Sequence, residues 1–189
     1  TTEQYTEFYR HTSNAYDDPW HVMHNKVEGT LNHTSLLFVP ASQPFDLFEP
    51  ERKSHVKLYV NRVYITETTK DLIPAYLRFL RGVVDSQDLS LNVSREMLQS
   101  DPQLAKIKTS ISKKVLNELK KKATKAPEEY AAFWGNFGAV LKEGLVEEIA
   151  LRDRILEICR FASTSAKELT SLTDYVSRMK TGQDAKRQI

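Results

Sequence analysis

The sequence predicts an α/β protein of the mixed α+β type: a mixed sheet with flanking helices in the first half, then a helical part of three or more helices. Before residue 90, apolar and polar side chains alternate in several short runs, which is the period of a half-buried strand. After residue 100, apolar side chains recur every three or four positions, as on an amphipathic helix. The 189 residues are enough for one domain with a full core and a helical appendage.

The first half alternates turn residues with short apolar runs. Its predicted elements are a helix over residues 2–10 capped by Thr2, strands over 20–27 and 34–39, a strand pair within 56–65, a short helix or turn over 71–77 and an extended segment over 82–85. Within residues 56–65 the apolar positions change from even to odd numbers. A turn or bulge at Asn61 and Arg62 explains this change, because a strand keeps one parity per face.

Residues 91–99, LNVSREMLQ, combine a polar loop with the start of a short helix. Ser94 is a good N-cap, which places Arg95 in the first turn. A guanidinium is always charged and presents a planar fork of donors to phosphate oxygens. Arg95 is therefore the candidate phosphate contact. The six glycines do not form a phosphate loop or a dinucleotide fingerprint, so the chain has no nucleotide cradle of these types.

The second half is predicted to be helical. Asp101 before Pro102 is a helix start, and Ser100 with Gln103 offers a competing capping box. One apolar stripe follows at Leu104, Ile107, Ile111, Val115 and Leu119, and a second, aromatic one at Tyr130, Phe133, Trp134 and Phe137, both predicted to be core. We expect the aromatic helix to end at Gly144, further helices over 152–161 and 172–179, and a division into 1–100, 101–181 and a disordered tail at 182–189.

Several kinds of function are poorly supported. No apolar run approaches the length of a membrane span and no signal peptide is visible, which favours a cytoplasmic protein. His21, His24 and His33 lack the partners of a metal site, so we expect no metal. Cys159 lies in an apolar run typical of a buried structural thiol. No nucleophile elbow is present, and we expect no enzyme activity from this chain alone.

Two features leave alternatives open. Phe45 and Phe48, in a proline-bounded loop, either staple the sheet edge or form an exposed patch, and stapling is favoured because apolar loop residues usually turn inward. Residues 102–126 carry eight lysines and one glutamate. This segment is either a solvated helix face or a nucleic-acid-binding surface; the first is favoured because no aromatic side chains are interleaved to stack on bases.

Six sequence blocks together resemble the middle domain of the heat-shock-protein-90 chaperones, most closely of the bacterial HtpG type. They are EFYRHTSNAYDDP, FVPASQPFDLFEP, VKLYVNRVYIT, DLIPAYLRFLRGVVDSQDLSLNVSREMLQ, FWGNFGAVLKEG and LTDYVSRMKTGQ. The resemblance implies a fragment of an ATP-dependent chaperone that acts in protein folding and stress response. It also implies that the chain begins after the linker from the nucleotide-binding domain and stops before the dimerisation domain.

The resemblance assigns roles to individual residues. Arg95 is expected to contact the γ-phosphate of ATP held by a separate N-terminal domain, supported by Asn92 and Gln99, so that the intact chaperone is an ATPase with a split active site. Tyr16 and Tyr64 are expected to contact client proteins, although relatives from eukaryotes carry tryptophan at the position of Tyr16. Trp20 is added as a client-binding candidate from the sequence itself, because it flanks the turn at residues 17–19 together with Tyr16.

Cofactors and partners follow from the same resemblance. ATP with Mg is expected to be bound by a domain outside this sequence, and this fragment is expected to bind no cofactor itself. The implied partners are the N-terminal ATPase domain and the C-terminal dimerisation domain of the same protein, unfolded clients, and cochaperones. A full-length homodimer is implied, with no nucleic acid and no membrane.

Overall fold

The computed structural model confirms the predicted fold class, a mixed sheet with helices followed by several more helices. It describes residues 1–29, 31–51, 53–67, 71–91, 98 and 101–183. The helices are α1 (Thr2–Ser13), α2 (Pro102–Lys125), α3 (Pro127–Glu147), α4 (Arg152–Ile158) and α5 (Leu172–Ser177), and the strands are β1 (Pro19–Val27), β2 (His33–Pro40), β3 (His55–Val60), β4 (Val63–Thr66), β5 (Arg81–Ser86), β6 (Phe161–Ser163) and β7 (Ala166–Thr170).

Two compact units are distinguished, Thr1–Val115 and Leu116–Ile189, and the boundary falls within α2. The first unit contains a five-stranded sheet in the order β1-β2-β5-β3-β4. Only the β3–β5 pair is parallel among the pairs described in this sheet; the other three are antiparallel. The division expected after residue 100 stays a prediction.

The hairpin between β3 and β4 confirms the turn predicted from the change of parity. Asn61 and Arg62 form it with φ of 48° and 66°. Two successive positive φ values are the backbone of a tight two-residue hairpin turn, and asparagine tolerates this conformation better than most residues. Val56, Leu58 and Val60 on β3 are fully buried, so the apolar parity of the strand marks the core face of the sheet.

The α1 helix is fixed by a cap at its first residue and by aromatic packing on its inner face. The α1 helix is capped by Thr1 rather than by Thr2, because Gln4, three residues after Thr1, completes a reciprocal capping box. On its inner face Tyr9 is 1% exposed and lies 5.3 Å from the ring of Phe38 on β2. These contacts attach the helix to the sheet. They also place Tyr9 in the lining of the cleft described below.

The second unit is built around the aromatic stripe of α3. Tyr130, Phe133, Trp134 and Phe137 are all buried, which confirms their predicted core role. The Tyr130 hydroxyl donates to the carbonyl of Ile158, 2.8 Å away, and links α3 to the end of α4. Along α2, which spans the boundary between the two units, all five predicted stripe residues are buried, from Leu104 in the first unit to Leu119 in the second.

The structure corrects two predicted helix ends in the second half and adds a hairpin. The α3 helix does not end at Gly144 but continues to Glu147, because Gly144 is buried and keeps a helical backbone instead of the positive φ of a C-terminal cap. The α4 helix ends at Ile158, not at Phe161, which begins β6. The β6–β7 hairpin was not predicted, since its strands are only three and five residues long.

Candidate functional site

The predicted catalytic residue Arg95 and its supporting residues Asn92 and Gln99 lie outside the described residues. The structure does describe what flanks them. Leu89 is 3% exposed on one side and Leu98 is 1% exposed on the other. Two buried leucines thus lie before and after Arg95 in the sequence.

Hydrogen bonds fix the backbone on both sides of this segment. Before it, the Ser86 hydroxyl at the end of β5 accepts from the amides of Asp88 and Leu89, each at 3.4 Å. After it, Asp101 Oδ1 accepts from the amides of Gln103 at 2.7 Å and Leu104 at 3.2 Å. Asp101 is thus the N-cap of α2, as predicted from the Asp-Pro pair. Ser100 of the competing capping box lies outside the described residues.

Tyr16 is 98% exposed on a well-anchored loop. On one side, Asn14 ends α1 in the left-handed conformation. On the other, Asp17 accepts a hydrogen bond from Tyr9, 3.2 Å away, and Asp18 pairs with Arg10 at 2.7 Å. A large aromatic ring held in solvent by an anchored backbone is available to contact another molecule.

The structure does not bring the three candidate client-binding aromatics together. Trp20 lies at an irregularity in the pairing of β1 with β2 and makes an edge contact with His21, 5.8 Å between ring centroids. Tyr64 is 50% exposed on β4, with Tyr59 opposite it on β3. Because β1 and β4 are the two edges of the sheet, four strand spacings of about 4.8 Å separate them. Any client surface that includes both residues must be extended.

A cleft of about 600 Å³ opens between the end of α1 and the loop after β2. Tyr9, Asp17, Phe45, His55 and Arg81 contribute to its lining. Phe45 is 97% exposed, which contradicts the favoured prediction that both phenylalanines staple the sheet edge. The sequence analysis singled out this loop but did not name Phe45 as a site residue. The available indication was a phenylalanine directly after Pro44 in a proline-bounded loop.

The residues after Phe45 explain its exposure, because they are the ones held by contacts with the rest of the unit. Leu47 is 2% exposed and its carbonyl accepts from Arg78 Nε at 2.7 Å. Phe48 is half exposed, and the Arg78 guanidinium carbon lies 6.0 Å from its ring centroid. The neighbouring Asp46 accepts from His55 and Arg81. With Asp46 held by strand residues and Leu47 held by Arg78, Phe45 is left in solvent.

Burial shifts the pKa of several groups in this cleft. The pKa of Tyr9 is raised by burial and then by the charge of Asp17, so its hydroxyl stays protonated and donates. Burial lowers the pKa of the Arg81 guanidinium, and the charge of Asp46 opposes that shift. An arginine remains charged in proteins, so Arg81 is a buried cation whose carboxylate partner is Asp46.

The lysine-rich helix α2 carries ion pairs that reduce its free positive charge. Lys120 pairs with Glu157 at 2.9 Å, Lys121 with Glu118 at 2.9 Å and Lys122 with Glu129 at 2.8 Å. These pairs support the interpretation as a solvated face, because a nucleic acid would have to compete with them for these ammonium groups.

The histidines and the cysteine show no catalytic arrangement. His24 contacts the Tyr5 hydroxyl at 2.8 Å, and His33 is 3% exposed within β2. In the part of the chain that the structure describes, no three His, Cys, Asp or Glu side chains come close enough to hold a metal ion. Cys159 is fully buried, as predicted, and burial raises the pKa of its thiol to about 11. Within the same described ranges, no helix combines the length and apolar character of a membrane crossing.

Comparison with curated proteins shows close relatives. A family model described as "Hsp90 protein" matches residues 1–186. The chaperone protein HtpG of Roseobacter denitrificans is 77% identical over 185 residues, which are 98% of this chain and 30% of the relative. HtpG of Paramagnetospirillum magneticum is 58% identical over the same shares, and that of Rickettsia rickettsii is 55% identical over 97% of this chain. The chain thus spans about 30% of the length of these curated relatives.

A solved structure agrees with the sequence comparison. The middle domain of a Plasmodium falciparum heat shock protein superposes with a TM-score of 0.84 and 32% identity, covering 97% of this chain and 72% of that one. This match confirms the resemblance to the middle domain of the heat-shock-protein-90 chaperones. The chain belongs to the Hsp90 family and has the fold of a middle domain of that family.

Proposed function

We propose that this chain is the part of an ATP-dependent chaperone that lends an arginine to a nucleotide bound elsewhere. Arg95 would contact the γ-phosphate of ATP, held with Mg by an N-terminal domain that this sequence does not include. The observation that carries the proposal is the LNVSREMLQ segment in a member of the Hsp90 family that has no phosphate loop.

The supporting residues are Asn92 and Gln99, on either side of Arg95. Polar side chains at these positions would orient the guanidinium or the phosphate, as helper groups do in phosphoryl transfer. The arginine would act only in the closed arrangement of the domains, so it would also favour that arrangement. The intact protein would be a cytoplasmic homodimer, joined by a C-terminal domain and assisted by cochaperones.

The second part of the proposal is a client-binding surface. Tyr16 and Tyr64 present exposed aromatic rings, and Trp20 lies on the same sheet. Since the two sheet edges are far apart, we propose that unfolded clients bind along an extended surface. Such a surface suits chains that expose scattered apolar residues.

The catalytic proposal is tested in the full-length protein by measuring ATP turnover. Arg95→Ala should lower turnover by on the order of 10³-fold, as for arginines supplied to a transferring phosphoryl group. Arg95→Lys should restore little of it, because an ammonium lacks the planar fork. The matched control is Arg152→Ala, an exposed arginine at the start of α4, which should turn over at the wild-type rate.

Two readouts make the result decisive. Nucleotide affinity of the Arg95→Ala protein should change little, since the cradle for ATP lies in the other domain. The isolated 189-residue chain should hydrolyse no ATP, with or without the substitution. Wild-type turnover in the full-length Arg95→Ala protein would refute the catalytic role.

A further inference from the structure

The chain directly after β5 is bonded on both sides to the chains that lie next to it in the sheet. On the β2 side, Asn32 donates its backbone N–H to Asp88 Oδ2 and its carbonyl accepts from the backbone N–H of Gln87 at 3.2 Å. On the β3 side, Asn61 in the β3–β4 turn donates its backbone N–H to the carbonyl of Ser86 at 3.0 Å. The path of the chain where it leaves the sheet is therefore fixed from two directions.

Asp88 supplies the part of this attachment that depends on a particular side chain. The bond between Gln87 and Asn32 joins two backbone groups, so it does not depend on residue type, whereas the N–H of Asn32 needs an acceptor from the side chain at position 88. Asn32 is itself held, because its side-chain Oδ1 accepts from the amide of Gly29 at 3.0 Å. The Asp88 amide donates to the Ser86 hydroxyl at 3.4 Å. Asp88 is thus bonded through its backbone and through its carboxylate.

We propose that Asp88 is a positioning residue for Arg95: its bond to Asn32 fixes the point from which the chain continues toward the arginine, seven positions later. The inference rests on the proposed function of Arg95. Asp88 acts through the backbone and needs no contact with ATP. Phosphoryl transfer is sensitive to such positioning, since a misplacement of about 1 Å can lower a rate by on the order of 10²-fold.

Asp85 provides a matched comparison at the same end of the sheet. Its Oδ1 accepts from the backbone N–H of Arg62 at 3.0 Å, which is also a bond between a carboxylate and the amide of a neighbouring chain. Asp85 lies within β5, whereas Asp88 lies after it. Replacing either aspartate by alanine removes one bond of the same kind, but only the bond of Asp88 holds the chain beyond the strand.

ATP turnover of the full-length protein tests the positioning role. Asp88→Ala should lower kcat by roughly tenfold and leave the affinity for ATP unchanged, because another domain holds the nucleotide. Asp88→Asn should stay within about twofold of the wild-type kcat, since its amide oxygen accepts the same N–H. Asp85→Ala should keep the wild-type kcat. Equal losses of kcat in Asp85→Ala and Asp88→Ala would overturn the proposal, because they would reflect general loosening of the sheet.

A double substitution shows whether Asp88 acts through Arg95. In the Arg95→Ala protein, adding Asp88→Ala should cause no further loss, because the residue that Asp88 positions is already absent. Radiolabelled ATP measures the low residual turnover. A further loss of about tenfold in this background would overturn the proposal, since Asp88 would then act independently of the arginine.

Hydrogen exchange of the full-length protein tests the bond itself. The amide of Asn32 should exchange faster in Asp88→Ala than in the wild type and at the wild-type rate in Asp88→Asn, while the amides of β5 keep their rates in both variants. An Asn32 amide that is unaffected by Asp88→Ala would overturn the proposal.

The turnover measurements also separate this proposal from the one on which it rests. Wild-type turnover in Arg95→Ala would refute the catalytic role of the arginine and the positioning role with it. Loss of turnover in Arg95→Ala together with wild-type turnover in Asp88→Ala would overturn the positioning role alone.

Discussion

Gly82 shows how a single residue decides whether the sheet can form. It lies on β5 with φ of +125°, a backbone conformation that L side chains rarely adopt. A Cβ there would lie 2.1 Å from the carbonyl oxygen of Leu36 on the neighbouring strand β2. Neither backbone can move without breaking the pairing of β2 with β5, which is central to the sheet.

We therefore expect Gly82→Ala to lower the free energy of unfolding by about 3 kcal/mol or more, through strain and steric overlap together. The measurement is urea denaturation followed by circular dichroism. Gly135→Ala is the matched control, because Gly135 lies in α3 with nothing within 4 Å of the added Cβ. That variant should gain up to about 1 kcal/mol from helix propensity. Equal stabilities of the two variants would contradict the role assigned to Gly82.

At the scale of elements, the N-cap of α2 connects fold and proposed function. Asp101 directly follows the segment that contains Arg95, and its carboxylate accepts two amides of the first turn. Its charge also interacts favourably with the positive end of the helix dipole. The start of α2 therefore fixes the downstream end of the proposed catalytic segment.

Asp101→Ala should destabilise the chain by about 1 kcal/mol, the usual loss for an N-cap. Asp101→Ser should recover most of that loss, because a serine hydroxyl accepts the same amides. Thermal unfolding measures both variants. If alanine and serine are equally destabilising, the stabilisation by Asp101 does not come from capping.

How far the elements were predictable depended on how local their causes are. The turn at Asn61 and Arg62 and the cap at Asp101 follow from neighbouring residues, so the sequence indicates them directly. The end of α3 does not: a glycine ends a helix when its φ is positive, and Gly144 instead keeps a helical backbone within a helix that continues to Glu147. The β6–β7 hairpin escaped because a three-residue strand shows no periodicity.

The candidate site was predictable to different degrees for the same reason. Residue type and spacing indicated Arg95, whose placement lies outside the described residues. The exposure of Phe45 was not predicted, since it results from Arg78 and Arg81, more than thirty positions later in the chain, attaching the residues beside it. Contacts between distant sequence positions leave Phe45 exposed while Leu47 is buried. A local sequence pattern does not contain this information.

At the scale of the whole molecule, buried histidines should make the chain sensitive to acid. His33 is 3% exposed, and burial lowers the pKa of its imidazole. The stabilising effect of its neutral form is complete above a pH of about 6.5 and is lost as the pH falls through the lowered pKa. The free energy of unfolding should therefore fall between pH 7 and pH 5.

Urea denaturation at several pH values measures this slope, which is at most about 1.4 kcal/mol per pH unit for each histidine. His33→Gln should be less stable at pH 7 but should show a smaller slope between pH 7 and pH 5. His11→Gln, in the exposed part of α1, should keep the wild-type slope. An unchanged slope in His33→Gln would assign the acid sensitivity to other groups.

The two parts of the proposed function should also separate in the full-length protein, because they use different residues. Tyr16→Ala and Tyr64→Ala remove exposed rings, so the fold should tolerate them. Each should weaken binding of an unfolded probe, reduced and carboxymethylated α-lactalbumin, by about fivefold, a typical loss for an aromatic contact. Their basal ATP turnover should stay at the wild-type rate.

Arg95→Ala should show the reverse pattern, with turnover lost and affinity for the probe retained in the absence of nucleotide. Val146→Ala is the control for non-specific apolar contact, since Val146 is 82% exposed in the second unit and has no proposed role. Fluorescence anisotropy of the labelled probe measures affinity, and phosphate release measures turnover. If Val146→Ala weakens probe binding as much as Tyr16→Ala, clients bind exposed apolar residues generally and the proposed surface is wrong. Loss of ATP turnover in both tyrosine variants would contradict the separation of the two functions. Residues that contact only clients would leave the phosphate chemistry intact.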